Sequence, residues 1–195
     1  MATFKGMEAF IDYILQFGNL NKRQIDLIAG KASTLTLHKD DYYWEAGKRV
    51  NQIGFLTEGI IRVYYYNHKG EEITRYFIDE NHLILSGHTI EEMYTPSEYL
   101  SAVTDCTLIV FSKQDWKEIA DTIIGWDAIL QKITAKYHKE KIVRRSELVS
   151  QDATTSYLDF IEQFPALANR VPLSYIASYL GITPSSLSRI RKNIR

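Results

Sequence analysis

The chain has 195 residues, 45% hydrophobic and 24% charged, and its 23 basic and 24 acidic side chains leave a net charge of −1. That length fits one large or two small globular domains. No apolar run approaches a membrane span and the opening residues lack signal-peptide architecture, so a cytoplasmic location with no membrane partner is expected.

Cys106 is the only cysteine, which excludes an internal disulfide, a cysteine-ligated iron–sulfur cluster and a CxxC zinc site. From Phe4 to Phe17, apolar residues at Met7, Phe10, Ile11, Ile14 and Leu15 predict an amphipathic helix. Gly18-Asn19 breaks it, and Asn21 is placed to cap a second helix carrying Ile25, Leu27 and Ile28. From about Thr34 the apolar period shortens. Leu35 and Leu37, Tyr43, Val50 to Leu56, Ile60 to Tyr66, Glu72 to Ile78, His82 to Leu85, Tyr99 to Val103 and Thr107 to Phe111 read as short strands. Turn signals at Ala46-Gly47, Glu58-Gly59 and Asn67-His68-Lys69-Gly70 separate them. Many short, evenly spaced strands predict a β-barrel or double-sheet roll.

Ser112 can cap a helix that begins at Lys113. Along it Ile119, Ile123, Trp126, Leu130, Ile133 and Tyr137 recur at 4-3-4-3-4 spacing, a heptad seam with Gly125 marking a bend or break. Such a seam packs on its own domain or pairs with a second copy. Asp152 can cap a further helix bearing Tyr157, Leu158, Phe160 and Ile161, and Pro165 should end it.

The last stretch, Val171 to Arg191, reads as two short helices around a tight turn. Leu173, Ile176, Ala177 and Leu180 keep helical spacing, and Gly181 suits a left-handed C′ position. Thr183 can cap the second helix, Pro184 fits its first position, and Leu187 and Ile190 supply its apolar face. This is the pattern of a DNA-binding helix-turn-helix, and an ordinary helical corner would look similar. Charge separates the two readings. Residues 1–130 carry 12 basic and 19 acidic groups, whereas residues 131–195 carry 11 and 5. A basic end on an acidic body is the electrostatic footprint of a nucleic-acid module.

The element order, with Leu56-Thr-Glu-Gly-Ile-Ile-Arg-Val-Tyr64, the hairpin Asn67-His-Lys-Gly-Glu71 and Ile176-Ala-Ser-Tyr-Leu-Gly-Ile-Thr-Pro-Ser-Ser-Leu-Ser-Arg-Ile190, resembles the Crp/Fnr family of bacterial transcription regulators. The resemblance implies an α+β fold. Residues 1–115 would form a cyclic-nucleotide-binding-like β-roll sensor, 116–149 a dimerisation helix and linker, and 150–195 the helix-turn-helix domain. It implies a homodimer whose seam helix pairs with its twin, double-stranded DNA as partner, RNA polymerase as a further partner, and a small-molecule effector of unknown identity. By position, Ser185, Ser186 and Arg189 would read base edges, Arg189 matching the O6 and N7 of guanine. Thr183, Arg170, Arg191 and Lys192 would contact phosphates.

Relatives that bind cyclic AMP hold it with a Gly-Glu pair and an Arg-Ser pair in the stretch corresponding to residues 83–102. Here the glutamate position is His88 in one register and Ser86 in the other, and the arginine position is Pro96 or Glu98, while Ser97 is kept. A cyclic phosphate would lose its bidentate partner, so cyclic AMP is not expected to bind. Arg75, His88, Ser97 and Tyr99 are the candidate effector residues. His68, His82 and His88 leave haem or a metal conceivable, but His68 falls in a hairpin tip and most lone histidines are not ligands, so no metal or cofactor is expected. No Walker loop, HExxH or GxGxxG is present, so an enzyme is not expected. A regulatory protein acting through protein contacts instead of DNA is the competing function.

Overall fold

The computed structural model describes residues 2–85, 96–150 and 152–194, with the side chains of 2–4 and 140–150 left undescribed. Two helices open the chain, α1 (Ala2–Leu15) and α2 (Lys22–Lys31). Asn21 caps α2 reciprocally: its side chain accepts from the Gln24 N–H, and the Gln24 side chain accepts from the Asn21 N–H. Among the described residues eight strands follow: β1 (Ser33–Leu37), β2 (Tyr42–Trp44), β3 (Gln52–Glu58), β4 (Ile61–Tyr66), β5 (Glu72–Ile78), β6 (His82–Ile84), β7 (Tyr99–Ala102) and β8 (Cys106–Ser112). They form two antiparallel four-stranded sheets, ordered β1-β8-β3-β6 and β2-β7-β4-β5. The chain then runs through α3 (Lys113–Thr122), α4 (Trp126–Ser150), α5 (Ala153–Gln163), α6 (Pro165–Ala168), α7 (Leu173–Tyr179) and α8 (Pro184–Asn193). The fold is α+β, as the sequence implied.

Strand alternation turns these elements into four layers. On β3 and β8, Ile53, Phe55, Ile109 and Phe111 face the helices, where they bury against Phe10, Ile14, Ile28, Trp116 and Trp126. Leu56, Leu108 and Val110 point the other way and meet Ile61, Val63 and Leu100 of the second sheet. The outer face of that second sheet is covered in turn. Ile60, Phe77 and Val103 share a third core with Tyr157, Phe160, Ile176, Ala177 and Leu187 of the C-terminal helices.

One implied pairing needs correction. Ile119, Ile123, Trp126 and Ile133 of the heptad seam are at most 2% exposed, and all belong to the core shared with α1, α2 and the first sheet. Of the two uses the spacing allowed, these residues take packing on their own domain. Ile129, also buried, widens the stripe beyond a strict two-position seam, which is the pattern of a helix packed on its own domain. Gly125, at φ +87°, breaks the run into α3 and α4 so that both parts follow the curved surface of the roll. Pro165 behaves differently from expectation in a smaller way: it ends α5 and also occupies the first turn of the short α6.

Candidate nucleic-acid interface

The C-terminal helices α7 and α8 form the helix-turn-helix that the sequence pattern described. Helix α7 ends in a Schellman motif: Ile182 N–H donates to Ala177 C=O at 3.0 Å and Gly181 N–H to Ser178 C=O at 3.3 Å. Gly181 stands at φ +68°, a conformation that a side chain would strain. The chain reverses there and α8 starts at once, with the Ser186 N–H bound to Thr183 Oγ1 at 3.1 Å and Pro184 in the first turn. Ile176, Ala177 and Leu187 are buried between the two helices, with Leu180, Ile182 and Ile190 packed around them.

What α8 leaves outside is polar and basic. Ser185, Arg189 and Lys192 are exposed and fall at i, i+4, i+7 spacing, one stripe along the helix. Arg189 makes no hydrogen bond or ion pair among the described residues, so its guanidinium fork is open to a ligand. Ser186 and Arg191 are half-buried at the edges of the stripe. The hydroxyls of Ser185 and Ser186 each lie 2.9 Å from Thr183 Oγ1. Three hydroxyls thus gather at the N-terminus of α8, where free N–H groups and the helix dipole favour an anion. The sequence assigned these groups separate tasks and did not foresee their clustering.

Arg170 is placed elsewhere. It donates to Glu80 Oε1 at 2.6 Å, in the turn between β5 and β6, and the same carboxylate oxygen accepts the Gly59 N–H at 3.0 Å. Burial pushes the Glu80 carboxyl up, but Arg170 and the backbone donor together hold it below the usual carboxylate range. In this arrangement Arg170 ties the C-terminal helices to the roll and does not project freely.

The candidate effector residues are not brought together. His88, like Ser86 and the Glu91-Glu92 pair, lies outside the described residues. Ser97 is exposed. Arg75 donates to Glu98 and lies over the Tyr65 ring, so its charge is already matched by an acid that stands at one of the two positions of the missing arginine. Tyr99 stacks on Tyr64 at 5.2 Å between ring centroids, on the face of its strand opposite to buried Leu100. Alternation turns it to the outside of the roll, with Tyr42 and Tyr66.

The inside is filled by the protein's own side chains. Tyr43 reaches so close to β3 that a Cβ at Gly54 would sit 2.5 Å from its hydroxyl. Among the described residues that hydroxyl and the Trp44 indole N–H are buried without hydrogen-bond partners, and burial pushes the phenol well up from its ordinary value. Both side chains line a cavity of about 240 Å³ with Lys48 and Arg49 at its edge.

Residues 34–122 match the family of the cyclic nucleotide-binding domain. FixK2 from Bradyrhizobium japonicum superimposes with a TM-score of 0.69 at 16% identity, over 84% of each chain. A protein assigned to the Crp/Fnr family in Eubacterium rectale gives 0.73 at 16% identity, covering 93% of this chain and 87% of its own. The chain has the Crp/Fnr fold. The regulator CLP from Xanthomonas campestris, described as responsive to c-di-GMP, shares that fold at a TM-score of 0.66 and 15% identity, over 89% of this chain and 91% of its own. No curated protein sequence matches. No helix among the described residues is long and apolar enough to cross a membrane.

Proposed function

We propose that this chain is a DNA-binding transcriptional regulator that works as a homodimer and reads a pseudo-palindromic site through α8. The observation that carries the reading is the exposed stripe of Ser185, Arg189 and Lys192 on a helix whose other face is buried and whose N-terminus is capped. Arg189 is the base reader, because an open guanidinium fork matches the two acceptors of guanine. Ser185 and Ser186 join Thr183 at the helix N-terminus, in reach of a phosphate or a base edge. Arg191 and Lys192 add sequence-independent attraction, and Arg170 serves DNA only when it leaves Glu80.

In a dimer, two copies of α8 would enter successive major grooves about 34 Å apart. The buried residues Ile119, Ile123, Trp126 and Ile133 are unavailable for that pairing, which draws on other residues. The roll serves as sensor for a small effector other than cyclic AMP. A protein of this kind works in the cytoplasm, beside RNA polymerase, and needs no catalytic group.

The test is a gel shift on DNA from upstream of the protein's own gene, with the wild-type chain and Arg189→Ala. The variant should lose about 1–3 kcal/mol of discrimination for its site, a factor of roughly 5 to 150, while non-specific binding persists. Unchanged sequence preference in the variant would remove Arg189 from this role.

A further inference from the structure

The reading unit sits on the sensor through a buried charge. In β4, Ile61 and Val63 point into the roll, so Arg62 between them points out, onto the face that α7 covers. Arg62 is only 2% exposed. A buried guanidinium is tolerated where its donors and its faces are both occupied. Here Nε donates to Thr74 Oγ1 at 2.8 Å and Nη1 to Glu72 Oε2 at 2.5 Å, both on neighbouring β5. Its planar group lies 4.4 Å from the ring centre of Tyr64, on its own strand, and 3.9 Å from that of Tyr175, on α7. One turn along α7, the Ser178 hydroxyl accepts the Thr74 N–H at 2.9 Å and donates to the Glu72 carbonyl at 3.1 Å. The two residues that hold Arg62 are therefore the two that α7 grips through their backbone.

We propose that Arg62 is the positioning residue of the reading unit: through Tyr175 it seats α7 on the roll and so fixes the direction in which α8 presents Arg189. The proposal rests on α8 being the reading helix. Three features make Arg62 the fixing point and not one contact among many. Its fork engages Glu72 and Thr74 together, which fixes the plane of the guanidinium. That plane then dictates where the Tyr175 ring can stack. Finally, Arg62 pairs in register with Ser101 of β7, the strand that begins just after Glu98, so the seat lies on the strand next to the effector-side residues. The reading stripe stays exposed while α7 is seated, so the seated arrangement leaves it open to DNA.

The experiment uses the full chain in four forms: wild type, Arg62→Met, Tyr175→Phe and Tyr175→Ala. Amide hydrogen exchange, without DNA, reports the seat. In Arg62→Met the amides of α7 and of Thr74 should exchange at least tenfold faster, while those of α1, β3 and β8 keep their wild-type rates. Tyr175→Phe retains the stacked ring and should match wild type. Tyr175→Ala should reproduce Arg62→Met without any change to the roll, which guards against simple misfolding of the arginine variant. Site-specific DNA affinity should fall about tenfold in Arg62→Met and in Tyr175→Ala, with non-specific affinity unchanged.

Unchanged α7 exchange in both variants overturns the seat. Faster exchange with undiminished site affinity overturns the role in reading. A wild-type chain that binds no DNA, yet shows the exchange pattern, overturns the DNA reading and supports the seat alone.

Discussion

Glu80 and Arg170 show how one residue can answer to two parts of a molecule. The carboxylate takes a guanidinium from the reading unit and an N–H from Gly59 of the roll, so its ionisation is tied to the docking of the two. Its pKa is lowered in the folded protein, from an ordinary value of 4.5. A lowered folded pKa means that the contribution is complete above the ordinary value and fades as pH falls through the lower one. Acidification below about pH 4.5 should therefore loosen the reading unit from the roll, seen as faster exchange of the Arg170 and Val171 amides. Glu80→Gln should remove that acid step and leave exchange at neutral pH modestly faster; an acid step that persists in the variant would assign it to another carboxyl. Sequence could not have found this pair. Arg170 looked like a phosphate ligand because its partner lies ninety residues away. Arg62 was equally silent, since an arginine in an alternating strand reads as an exposed position until something covers that face.

At the scale of elements, the caps and turns were the most legible features, because each depends on residues a few positions apart. Asn21, Ser112, Asp152 and Thr183 all accept the N–H groups expected of them. The use of the heptad seam was not legible, since the same spacing serves a partner helix or a domain's own core. Helix α4 has a further task that only the fold discloses. Strand β6 is an edge of its sheet, and the Tyr137 hydroxyl closes that edge by donating to the Leu83 carbonyl and accepting the Leu83 N–H, both at 2.8 Å. Tyr137→Phe keeps the ring in place and leaves both backbone groups short of a partner. It should destabilise the protein by about 1–3 kcal/mol, measured by denaturant unfolding. A variant as stable as wild type would mean that water replaces the hydroxyl without loss.

For the molecule as a whole, the order of the layers was readable from periodicity, while the state of the sensor was not. Strand alternation shows which residues face inward, but not that Arg75 is matched by Glu98 or that Tyr43 crosses to Gly54. On the proposed reading the roll does not hold a cyclic phosphate, because Arg75 is matched by Glu98 and Pro96 or Glu98 takes the position of the arginine that the family resemblance implies. Titration calorimetry with cyclic AMP should give no heat of binding up to millimolar ligand. Micromolar affinity would mean that the cyclic phosphate is held by groups other than those of the cyclic-AMP-binding relatives.

The third core has a consequence for how such proteins can be taken apart. Phe77 of the roll lies 6.4 Å, ring centre to ring centre, from Phe160 and 5.9 Å from Tyr179, while Ile60 and Val103 complete the same cluster. Neither side of that seam is a finished surface. A C-terminal unit excised after α4 would carry Phe160 and Tyr179 into water, and the roll left behind would carry Phe77 and an Arg62 stripped of Tyr175. The head is thus not an interchangeable tool on a common handle. Any chimera that gives this roll a different head, or this head a different roll, must redesign two matching faces at once.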